Sequence, residues 1–464
     1  MRWRMLTPLK TRVFCGQLCA GTPSCTAESG DCGNDSGNEC GNDSGNGCGN
    51  GPAKGDGVVR RRSARERAYW RVPRAVGVAL AALAGIVGVL ALVVAAAASV
   101  SVYFARAVVT PPRRRSEDTR VLGIDAGAHE IVLTASADAR VPGVYSYWFA
   151  QGRGHARVGD ILSSQSNRVT RELLGVDSGE LAVGVQGRFS GWVYLNPRDL
   201  GLPVDDVEIE TPLGPAPAWL VPSAEGGDHW VVIVHGRAVT RAEGIRAVPV
   251  FREKGYTSLL VSYRNDGDAP SSGDRRYGLG DTEWQDVEAA VDFAVAHGAR
   301  HVILMGWSMG GAIVLQTVTR SSRMGVVEGL VLESPVIDWV STLDFQGTGY
   351  RLPWLVKEST LELLSHRHGG LATGLAAPID LKRLDFVSRA GELTLPVLLM
   401  HSDDDGYVPS DASRALAAER PDIVTFDPWS VARHTKLWNY DREHWNGSIA
   451  SWLERFAQGE PERG

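Results

Sequence analysis

The segment His301-Val-Ile-Leu-Met-Gly-Trp-Ser308-Met-Gly-Gly-Ala312-Ile-Val-Leu-Gln-Thr decides the fold that we predict for this chain. It starts with an apolar run typical of a buried strand and ends with a helix-forming run, and Gly306-x-Ser308-x-Gly310 lies between them. A serine is held on a strained strand-to-helix turn only if the residues two before and two after it lack bulky side chains. Gly306 and Gly310 meet this condition, so we predict a nucleophile elbow with Ser308 at its tip.

Around this segment, apolar runs alternate with amphipathic helix patterns from about residue 206 to residue 457. The runs predicted as buried strands are 230–235, 258–263, 301–305, 329–333, 396–401 and 423–426. The predicted helices are 241–254, 282–297, 309–320, 411–419 and 442–456. This alternation indicates an α/β fold with a mostly parallel central sheet covered on both faces. Ligands of such sheets bind beyond the carboxyl ends of the strands, where Ser308 lies.

A reactive serine needs a base to accept its proton and a carboxylate to orient that base. The residues that follow the strand at 396–401 offer Asp403, Asp404 and Asp405 as the carboxylate, and Asp338 follows the preceding strand. Position along the chain does not decide which of these four carboxylates orients the base.

Two histidines, His434 and His444, follow the last predicted strand. The sequence Asp441-Arg-Glu-His444 has the pattern of a helix N-cap with its first turn, and an apolar helix face follows it. His444 then belongs to that helix, so the pattern favours His434, on the loop before it, as the base.

Residues from about 205 to 457 resemble the α/β-hydrolase superfamily. Three landmarks carry the resemblance: Val231-Val-Ile-Val-His-Gly after an early strand, the elbow at Ser308, and His401-Ser-Asp-Asp-Asp405-Gly-Tyr-Val-Pro409 after a late strand. The pattern is similar to that of membrane-anchored serine hydrolases in the esterase and prolyl-oligopeptidase-like branches. The last landmark resembles the family's H-x-x-x-D-x-x-V-P, which implies Asp405 as the acid.

The resemblance also implies an oxyanion hole made by the backbone N–H groups of Met309 and Arg237. Arg237-Ala-Val replaces the glycine run that follows His-Gly in one group of lipases, which argues against a pocket for bulky esters. We expect the side chain of Arg237 to lie at the surface or to meet an anionic group of the substrate. Arg264 and Asn265, which follow the second buried strand, are possible substrate contacts or parts of a hydrogen-bonded turn.

The sequence predicts no cofactor and no metal at this site. The acidic stretches 265–268 and 403–406 do not keep the spacing of a calcium loop with its distal glutamate. The net charge of −6 is small for 464 residues and offers no basic field for nucleic acid.

No charged residue lies between Arg74 and Arg106. As a helix this stretch would be about 45 Å long, enough to cross a bilayer and much longer than the apolar part of a signal peptide. We predict a basic juxtamembrane segment at 58–75, a single transmembrane helix at 76–105 and a linker at 106–120. Within about 20 residues of each end of this stretch, seven arginines upstream against five downstream favour a cytoplasmic N-terminus and an extracytoplasmic catalytic domain.

The first 57 residues contain all six cysteines and an eight-residue repeat marked by Cys32, Cys40 and Cys48. Their Gly, Asn, Ser and Asp content predicts disorder. Metal binding is an alternative that the spacing does not favour, because it is not C-x-x-C. Residues 458–464 are predicted as a tail.

Residues 121–205 are predicted as a small accessory β-rich domain, with strands near 130–135, 144–150, 155–162 and 189–195. Between the fourth and fifth buried strands lies a long helical segment, about 336–392, with many apolar residues. A bare crossover does not need this length, so we predict a lid.

The resemblance implies a membrane-anchored hydrolase that cleaves carboxylic esters through an acyl-enzyme, with a small-molecule or peptide acyl substrate. A serine peptidase of the prolyl-oligopeptidase-like type remains an alternative, because it uses the same residues. A third alternative is a non-catalytic binding or scaffold protein on the same fold. The sequence does not determine the oligomeric state.

Overall fold

The computed structural model describes residues 73–112 and 114–457. The segment 1–57, most of the juxtamembrane segment and the tail 458–464 lie outside these residues. The first described element is helix α1, Arg74–Val109. Its mean hydropathy over the most apolar window is 2.8, with none of that window buried, so it is long and apolar enough to span a membrane.

Six antiparallel strands follow α1 and close into a small barrel. They are β1 (Thr119–Asp125), β2 (Glu130–Thr134), β3 (Tyr145–Phe149), β4 (Gly154–Ser164), β5 (Arg168–Ser178) and β6 (Gln186–Ser190), in the order β1-β2-β5-β4-β3-β6. The strand that we predicted at 189–195 ends at Ser190, so the prediction is wrong for residues 191–195. At Gly191 the chain leaves the barrel and lies against Arg246 and Asn439, where a Cβ would approach within 2.5 Å of the guanidinium.

The remaining strands form one eight-stranded mixed sheet. They are β7 (Asp205–Thr211), β8 (Gly214–Val221), β9 (His229–Val234), β10 (Thr257–Val261), β11 (His301–Trp307), β12 (Val327–Glu333), β13 (Val397–Ser402) and β14 (Val424–Trp429). The order is β14-β13-β12-β11-β9-β10-β8-β7, and the first six of these strands are parallel. The predicted mostly parallel α/β-hydrolase sheet, preceded by a β-rich domain, is confirmed.

Helices cover both faces of this sheet. They are α2 (Val248–Glu253), α3 (Trp284–Ala296), α4 (Met309–Arg320), α5 (Trp339–Gly349), α6 (Trp354–Ser365), α7 (Gly370–Thr373), α8 (Asp411–Glu419), α9 (Leu437–Tyr440) and α10 (Arg442–Ala457). The helix predicted over 241–254 is divided into a 3-10 segment, Arg241–Ala247, and α2. Pro249 lacks the N–H that would continue the α-helical hydrogen bonds across this point.

The end of α1 is part of the hydrolase core. Ala105 and Val109 are fully buried in the hydrophobic cluster that also contains residues of α3, α4 and the sheet. Ser101 is buried against α6, and its hydroxyl donates to the carbonyl of Val356 at 3.3 Å. The linker that we expected at 106–120 is therefore helical up to Val109.

Candidate active site

Ser308 stands between β11 and α4 in a conformation that non-glycine residues rarely adopt, with φ 51° and ψ −117°. Its two glycine neighbours are required by close packing. A Cβ on Gly306 would lie 2.6 Å from the carbonyl oxygen of Gly310, and a Cβ on Gly310 would lie 2.4 Å from that of Val234. The tight turn presents Ser308 at the carboxyl end of the sheet.

His434 lies on the loop between β14 and α9 and joins Ser308 to Asp405. Its Nε2 is 3.0 Å from Ser308 Oγ, and its Nδ1 is 2.6 Å from Asp405 Oδ2. In the tautomer that this arrangement requires, Nδ1–H donates to the carboxylate and the serine hydroxyl donates to Nε2. The three side chains form one continuous hydrogen-bonded chain.

The carboxylate of Asp405 is buried and held by several donors. The backbone N–H groups of Tyr407 and Val408 donate to Oδ1 at 2.8 and 2.9 Å, and His401 Nε2 lies 3.3 Å from Oδ2. Burial alone would raise the pKa of Asp405, but the charge of His434 and hydrogen bonds from His401 and His434 outweigh it. The net effect holds this pKa well below the usual range, so Asp405 is ionised at neutral pH.

The other candidate acids are used elsewhere. Asp403 binds Arg414 and accepts a hydrogen bond from Ser410, while Asp404 pairs with Arg433. Asp338 is the N-cap of α5 and accepts from the backbone N–H groups of Val340 and Ser341.

His444 is also separate from Ser308. It lies in the first turn of α10, its Nε2 is 3.1 Å from Asp427 Oδ1, and its ring stacks on Trp429 at 4.1 Å. His434 is therefore the histidine that the fold brings to the elbow.

Glu333 is a buried residue that the sequence reasoning missed. Its carboxylate accepts hydrogen bonds from the indole N–H groups of Trp307 and Trp445 at 2.6 and 2.9 Å, and from the backbone N–H of Leu437 at 3.3 Å. Its carbonyl accepts from the backbone N–H of Ser308 at 3.1 Å. Glu333 thus connects the elbow with the chain that follows His434, and a glutamate ending an apolar strand was the available sign.

The loop after β9 faces the elbow and is fixed by a second missed residue, Glu243. The backbone N–H of Gly236 donates to Glu243 Oε2 at 2.7 Å, and Tyr263 Oη donates to the carbonyl of Gly236 at 2.8 Å. Burial raises the pKa of Glu243, and the charge of Arg246 partly compensates for it. Within the described residues, the backbone N–H groups of Arg237 and Met309 have no acceptor, so both are free to bind one.

The comparisons with known proteins identify the family of this chain. A family model described as "Alpha/beta hydrolase family" matches residues 231–462. This chain belongs to the α/β-hydrolase family. The predicted resemblance is thereby confirmed. A second model, "Domain of unknown function (DUF8805)", matches residues 120–190, which are the barrel of this α/β-hydrolase.

Solved structures resemble the α/β-hydrolase part of the chain. Esterase Pf2001 from Pyrococcus furiosus is 18% identical, with a TM-score of 0.44 over 56% of this chain and 94% of that one. Est1E from Butyrivibrio proteoclasticus, solved with ferulic acid, is 15% identical, with a TM-score of 0.41 over 54% of this chain and 99% of that one. A comparison with curated proteins found no match.

The side chain of Arg237 in this α/β-hydrolase neither lies free at the surface nor points to a substrate position, contrary to our expectation. Its Nη2 donates to the carbonyls of Ala107 and Val108 at 2.7 and 2.8 Å, and its Nε donates to Val108 at 3.1 Å. An arginine that binds the last carbonyls of a helix stabilises its C-terminus. Arg237 therefore holds the last turn of α1.

Arg264 and Asn265 form the hydrogen-bonded turn that was one of our two expectations for them. Arg264 is buried in a bidentate pair with Asp286, with distances of 2.7 and 2.8 Å. Asn265 bonds Ser272 and the carbonyl of Arg276. Both side chains hold the loop after β10, as a hydrogen-bonded turn requires.

Arg115 is a third residue that the sequence reasoning missed, because it lies in the segment read as a linker. Its Nη2 is buried and finds no hydrogen-bond partner in the described part of the chain. Burial lowers the pKa of Arg115, although the charges of Glu243 and Asp266 and the hydroxyl of Tyr407 act in the opposite direction. A guanidinium nitrogen without a partner therefore lies near the residues that surround the elbow.

Two other clusters in the described residues are distinct from the elbow. Ligand atoms of Asp228, His229 and His301 lie within 4.8 Å of one another, close enough to share a metal ion, but at the opposite end of β11 from Ser308.

In the barrel, Ser146 Oγ is 2.7 Å from His155 Nε2, and His155 Nδ1 is 2.8 Å from Asp177. Ser146 and His155 are fully buried, and Ser146 also donates to the carbonyl of Trp192. This Ser–His–Asp chain lies in a regular strand pair without an elbow and is a structural network.

Proposed function

We propose that this protein is a membrane-anchored serine hydrolase that cleaves carboxylic esters through an acyl-enzyme at Ser308. The observation that carries the proposal is the continuous hydrogen-bonded chain from Ser308 through His434 to Asp405. Membership of the α/β-hydrolase family supports it.

In the first half-reaction, Ser308 Oγ attacks the ester carbonyl carbon while His434 Nε2 accepts the hydroxyl proton. The ionised Asp405 stabilises the imidazolium that forms. The tetrahedral oxyanion accepts hydrogen bonds from the backbone N–H groups of Met309 and Arg237. When the intermediate collapses, the bond to the alcohol oxygen breaks, His434 returns the proton to that oxygen, and Ser308 remains acylated.

In the second half-reaction, water takes the place of the alcohol. His434 accepts one proton of the water as its oxygen attacks the acyl carbon, and then returns the proton to Ser308 Oγ. The carboxylic acid leaves and the serine is restored. No metal or cofactor takes part in this mechanism, and the substrate is a small-molecule or peptide acyl compound.

Helix α1 is assigned in this proposal as a single transmembrane anchor with the catalytic domain outside the cytoplasm. Its length and hydropathy support the anchor, and the excess of arginines before it supports the orientation. The low net charge argues against nucleic acid as a partner.

A serine peptidase is the second candidate, since an amide can be cleaved by the same groups. The barrel would then limit the size of peptides that reach Ser308. A scaffold without activity is the third candidate, and it is disfavoured by the complete Ser–His–Asp chain.

The test is reaction with a fluorophosphonate probe, followed by a panel of p-nitrophenyl esters and aminoacyl amides. We expect labelling at Ser308, loss of labelling in Ser308→Ala, and ester turnover well above amide turnover. Amide turnover above ester turnover would favour the peptidase. Absence of both labelling and turnover from folded protein would favour the scaffold.

A further inference from the structure

The chain between α1 and β1 is fixed at both of its ends. At its start, the carbonyl of Thr110 accepts a hydrogen bond from Arg237 Nη2 at 3.1 Å, and Arg237 belongs to the loop that faces the elbow. At its end, Thr119 pairs with Gly187 of the barrel strand β6. The segment therefore passes from the loop after β9 to β6, and Arg115 lies between these two attachments.

Arg115 carries a buried donor that nothing in the described part of the chain satisfies. Its Nη2 is buried and has no hydrogen-bond partner there. The charges that attract this guanidinium most are those of Glu243 and Asp266, and both carboxylates already bind other groups. Glu243 accepts from the backbone N–H of Gly236, and Asp266 accepts from the hydroxyl of Tyr277. A buried donor without an acceptor costs about 1–3 kcal/mol, so a ligand that supplies the acceptor is bound favourably.

A second arginine, Arg188, comes from β6. Its neighbour Phe189 belongs to the barrel core, so the side chain of Arg188 points out of the barrel. Its guanidinium lies over the ring of Trp148 at 5.9 Å, and no carboxylate of the described residues forms an ion pair with it. Burial lowers the pKa of Arg188 to about 10, and the charge of Arg115 acts in the same direction. The two guanidiniums are thus close enough to repel each other, and an anion bound to both would relieve this repulsion.

Both arginines lie near the histidine of the site. Each interacts electrostatically with the hydroxyl of Tyr407, whose ring is 5.6 Å from that of His434. The end of β6 also reaches the loop that carries this histidine. A Cβ on Gly191, which follows β6, would lie 2.6 Å from the carbonyl oxygen of Thr435. A group held by both guanidiniums is therefore close to the proposed base.

Arg115 also lies near the elbow itself. Glu243, which attracts it, holds the backbone N–H of Gly236, and a Cβ on Gly236 would lie 3.4 Å from the Cβ of Ser308. The loop after β9 thus contacts the serine, as Tyr407 contacts the histidine. Arg115 interacts with residues of both elements.

From this arrangement we infer that Arg115 and Arg188 form an anion subsite, which binds a carboxylate or phosphate group of the ester that Ser308 cleaves. A guanidinium is planar and binds either group through two parallel hydrogen bonds. The inference rests on the proposed function and adds its substrate class: esters that carry a negative charge. It also gives the barrel a role in substrate recognition, because β6 supplies one of the two arginines.

The first test uses the full chain in nanodiscs of phosphatidylcholine, a lipid without net charge. The readout is the ratio of kcat/KM for an anionic ester to that for a neutral counterpart. One pair, p-nitrophenyl hydrogen adipate and p-nitrophenyl hexanoate, differs in charge on the acyl side. The other pair, 4-acetoxybenzoate and 4-acetoxybenzamide, differs in charge on the alcohol side.

Arg115→Met should lower this ratio about tenfold or more in at least one pair, mainly by raising KM for the anionic ester, because a charge-assisted hydrogen bond is lost. Arg188→Met should lower the ratio in the same pair, and it serves as a second variant if Arg115→Met does not fold. Arg120→Met, at an exposed position of the adjoining strand β1, is the control and should keep both ratios within about twofold of wild type. Ratios that Arg115→Met and Arg188→Met leave unchanged in both pairs would overturn the inference.

The second test measures binding without turnover. Adipate or inorganic phosphate is added to the full chain at constant ionic strength, and the midpoint of thermal unfolding is followed, since an anion that binds the folded protein raises it. A rise with adipate indicates a carboxylate subsite and a rise with phosphate a phosphate subsite, and either should be lost in Arg115→Met and kept in Arg120→Met. No rise in wild type, or an equal rise in Arg115→Met, would contradict the subsite. Because fluorophosphonate labelling of the same protein reports on Ser308 separately, failure of the anion subsite and failure of the proposed function are distinguishable.

Discussion

The guanidinium of Arg237 binds the carbonyl of Val108, with Nη2 at 2.8 Å and Nε at 3.1 Å. The residue that offers a free backbone N–H beside the elbow thereby also fixes the last turn of α1. One side chain thus connects the apolar helix α1 with the loop that faces Ser308. The position of α1 and the position of this loop are therefore coupled.

Replacing Arg237 should loosen the last turn of α1. Arg237→Met removes the hydrogen bonds of the guanidinium to the carbonyls of Ala107, Val108 and Thr110 and should lower the free energy of unfolding by about 2 kcal/mol or more. It should also speed tryptic cleavage near Arg106, which is the more specific measurement. Arg241→Met is the matched control, because Arg241 lies only four residues further along the chain but bonds Ser262 and packs on Trp219. Equal cleavage rates in the two variants would contradict the coupling.

The proposed triad predicts non-additive effects on turnover. Ser308→Ala and His434→Ala should each lower kcat on the order of 10⁶-fold, and the double variant little more, because the residues act as one unit. Asp405→Asn should cost roughly 10⁴-fold, since the imidazole would then be held in the wrong tautomer. These values are measured as kcat for the best ester of the panel.

The controls for the triad are Asp403→Asn and His444→Ala, which should stay within about tenfold of wild type. Asp403 is exposed and paired with Arg414, and His444 packs on Trp429. If either control were as damaging as Ser308→Ala, the assignment of the acid or the base would be wrong.

The parts of the fold that the sequence predicts well are those with a strong local pattern. The parallel strands and α4 follow from uninterrupted apolar runs around the elbow, and the predicted α4 has the same bounds as the observed helix. The barrel was harder, because β1 and β5 are partly exposed strands with charged residues, and their pairing is decided by distant neighbours. The helical extension of α1 to Val109 depends on Arg237, which is far away in the chain.

The residues of the site also differ in how well the sequence predicts them. Order along the chain was enough to bring Ser308, Asp405 and His434 forward as candidates, because each follows a strand of the same sheet. A glutamate at the end of an apolar strand marked Glu333 as a candidate, but the partners of Glu333 and Glu243 could not be predicted, since nothing local shows which donors a buried carboxylate will meet. Their roles depend on indole and backbone N–H groups contributed by other segments.

Glu333 should be important for stability as well as for the position of the elbow. Glu333→Gln keeps the shape but turns one acceptor into a donor that faces indole N–H groups, and a buried donor is left without a partner. We expect a loss of about 2–4 kcal/mol in urea unfolding. Glu328→Gln, at the start of the same strand, is the control and should cost under about 1 kcal/mol. Similar losses in both variants would mean that the hydrogen bonds of Glu333 contribute no more to stability than those of a partly exposed glutamate.

The proposed topology predicts that the hydrolase domain is accessible from outside the cell. Protease added to intact cells or spheroplasts should degrade the chain beyond Arg106, while a cytoplasmic marker protein stays intact. The uncharged stretch of α1 and the arginines before it are the reason for this expectation. If the hydrolase domain were protected until the cells are lysed, its orientation would be opposite to the one we propose. The assignment of the site residues would not change.

Asp266 predicts a specific pH dependence of stability. Burial raises its pKa to about 7, although the hydrogen bond from Tyr277 acts in the opposite direction. A carboxyl with a raised pKa keeps its proton in the folded protein while the unfolded chain loses it above about pH 4. The free energy of unfolding contributed by this group therefore falls as the pH rises from about 4 to about 7.

Asp266→Asn has no carboxyl proton to lose. The free energy of unfolding of the variant, relative to that of wild type, should therefore rise with pH. Between pH 5 and pH 8 we expect the difference in the free energy of unfolding to shift in favour of the variant by on the order of 2 kcal/mol. The measurement is urea unfolding of both proteins at the two pH values. For Asp268→Asn, at an exposed position of the same loop, the difference in the free energy of unfolding from wild type should be the same at pH 5 and at pH 8. A difference for Asp266→Asn that did not change with pH would mean that the carboxyl is already ionised in the folded protein at pH 5.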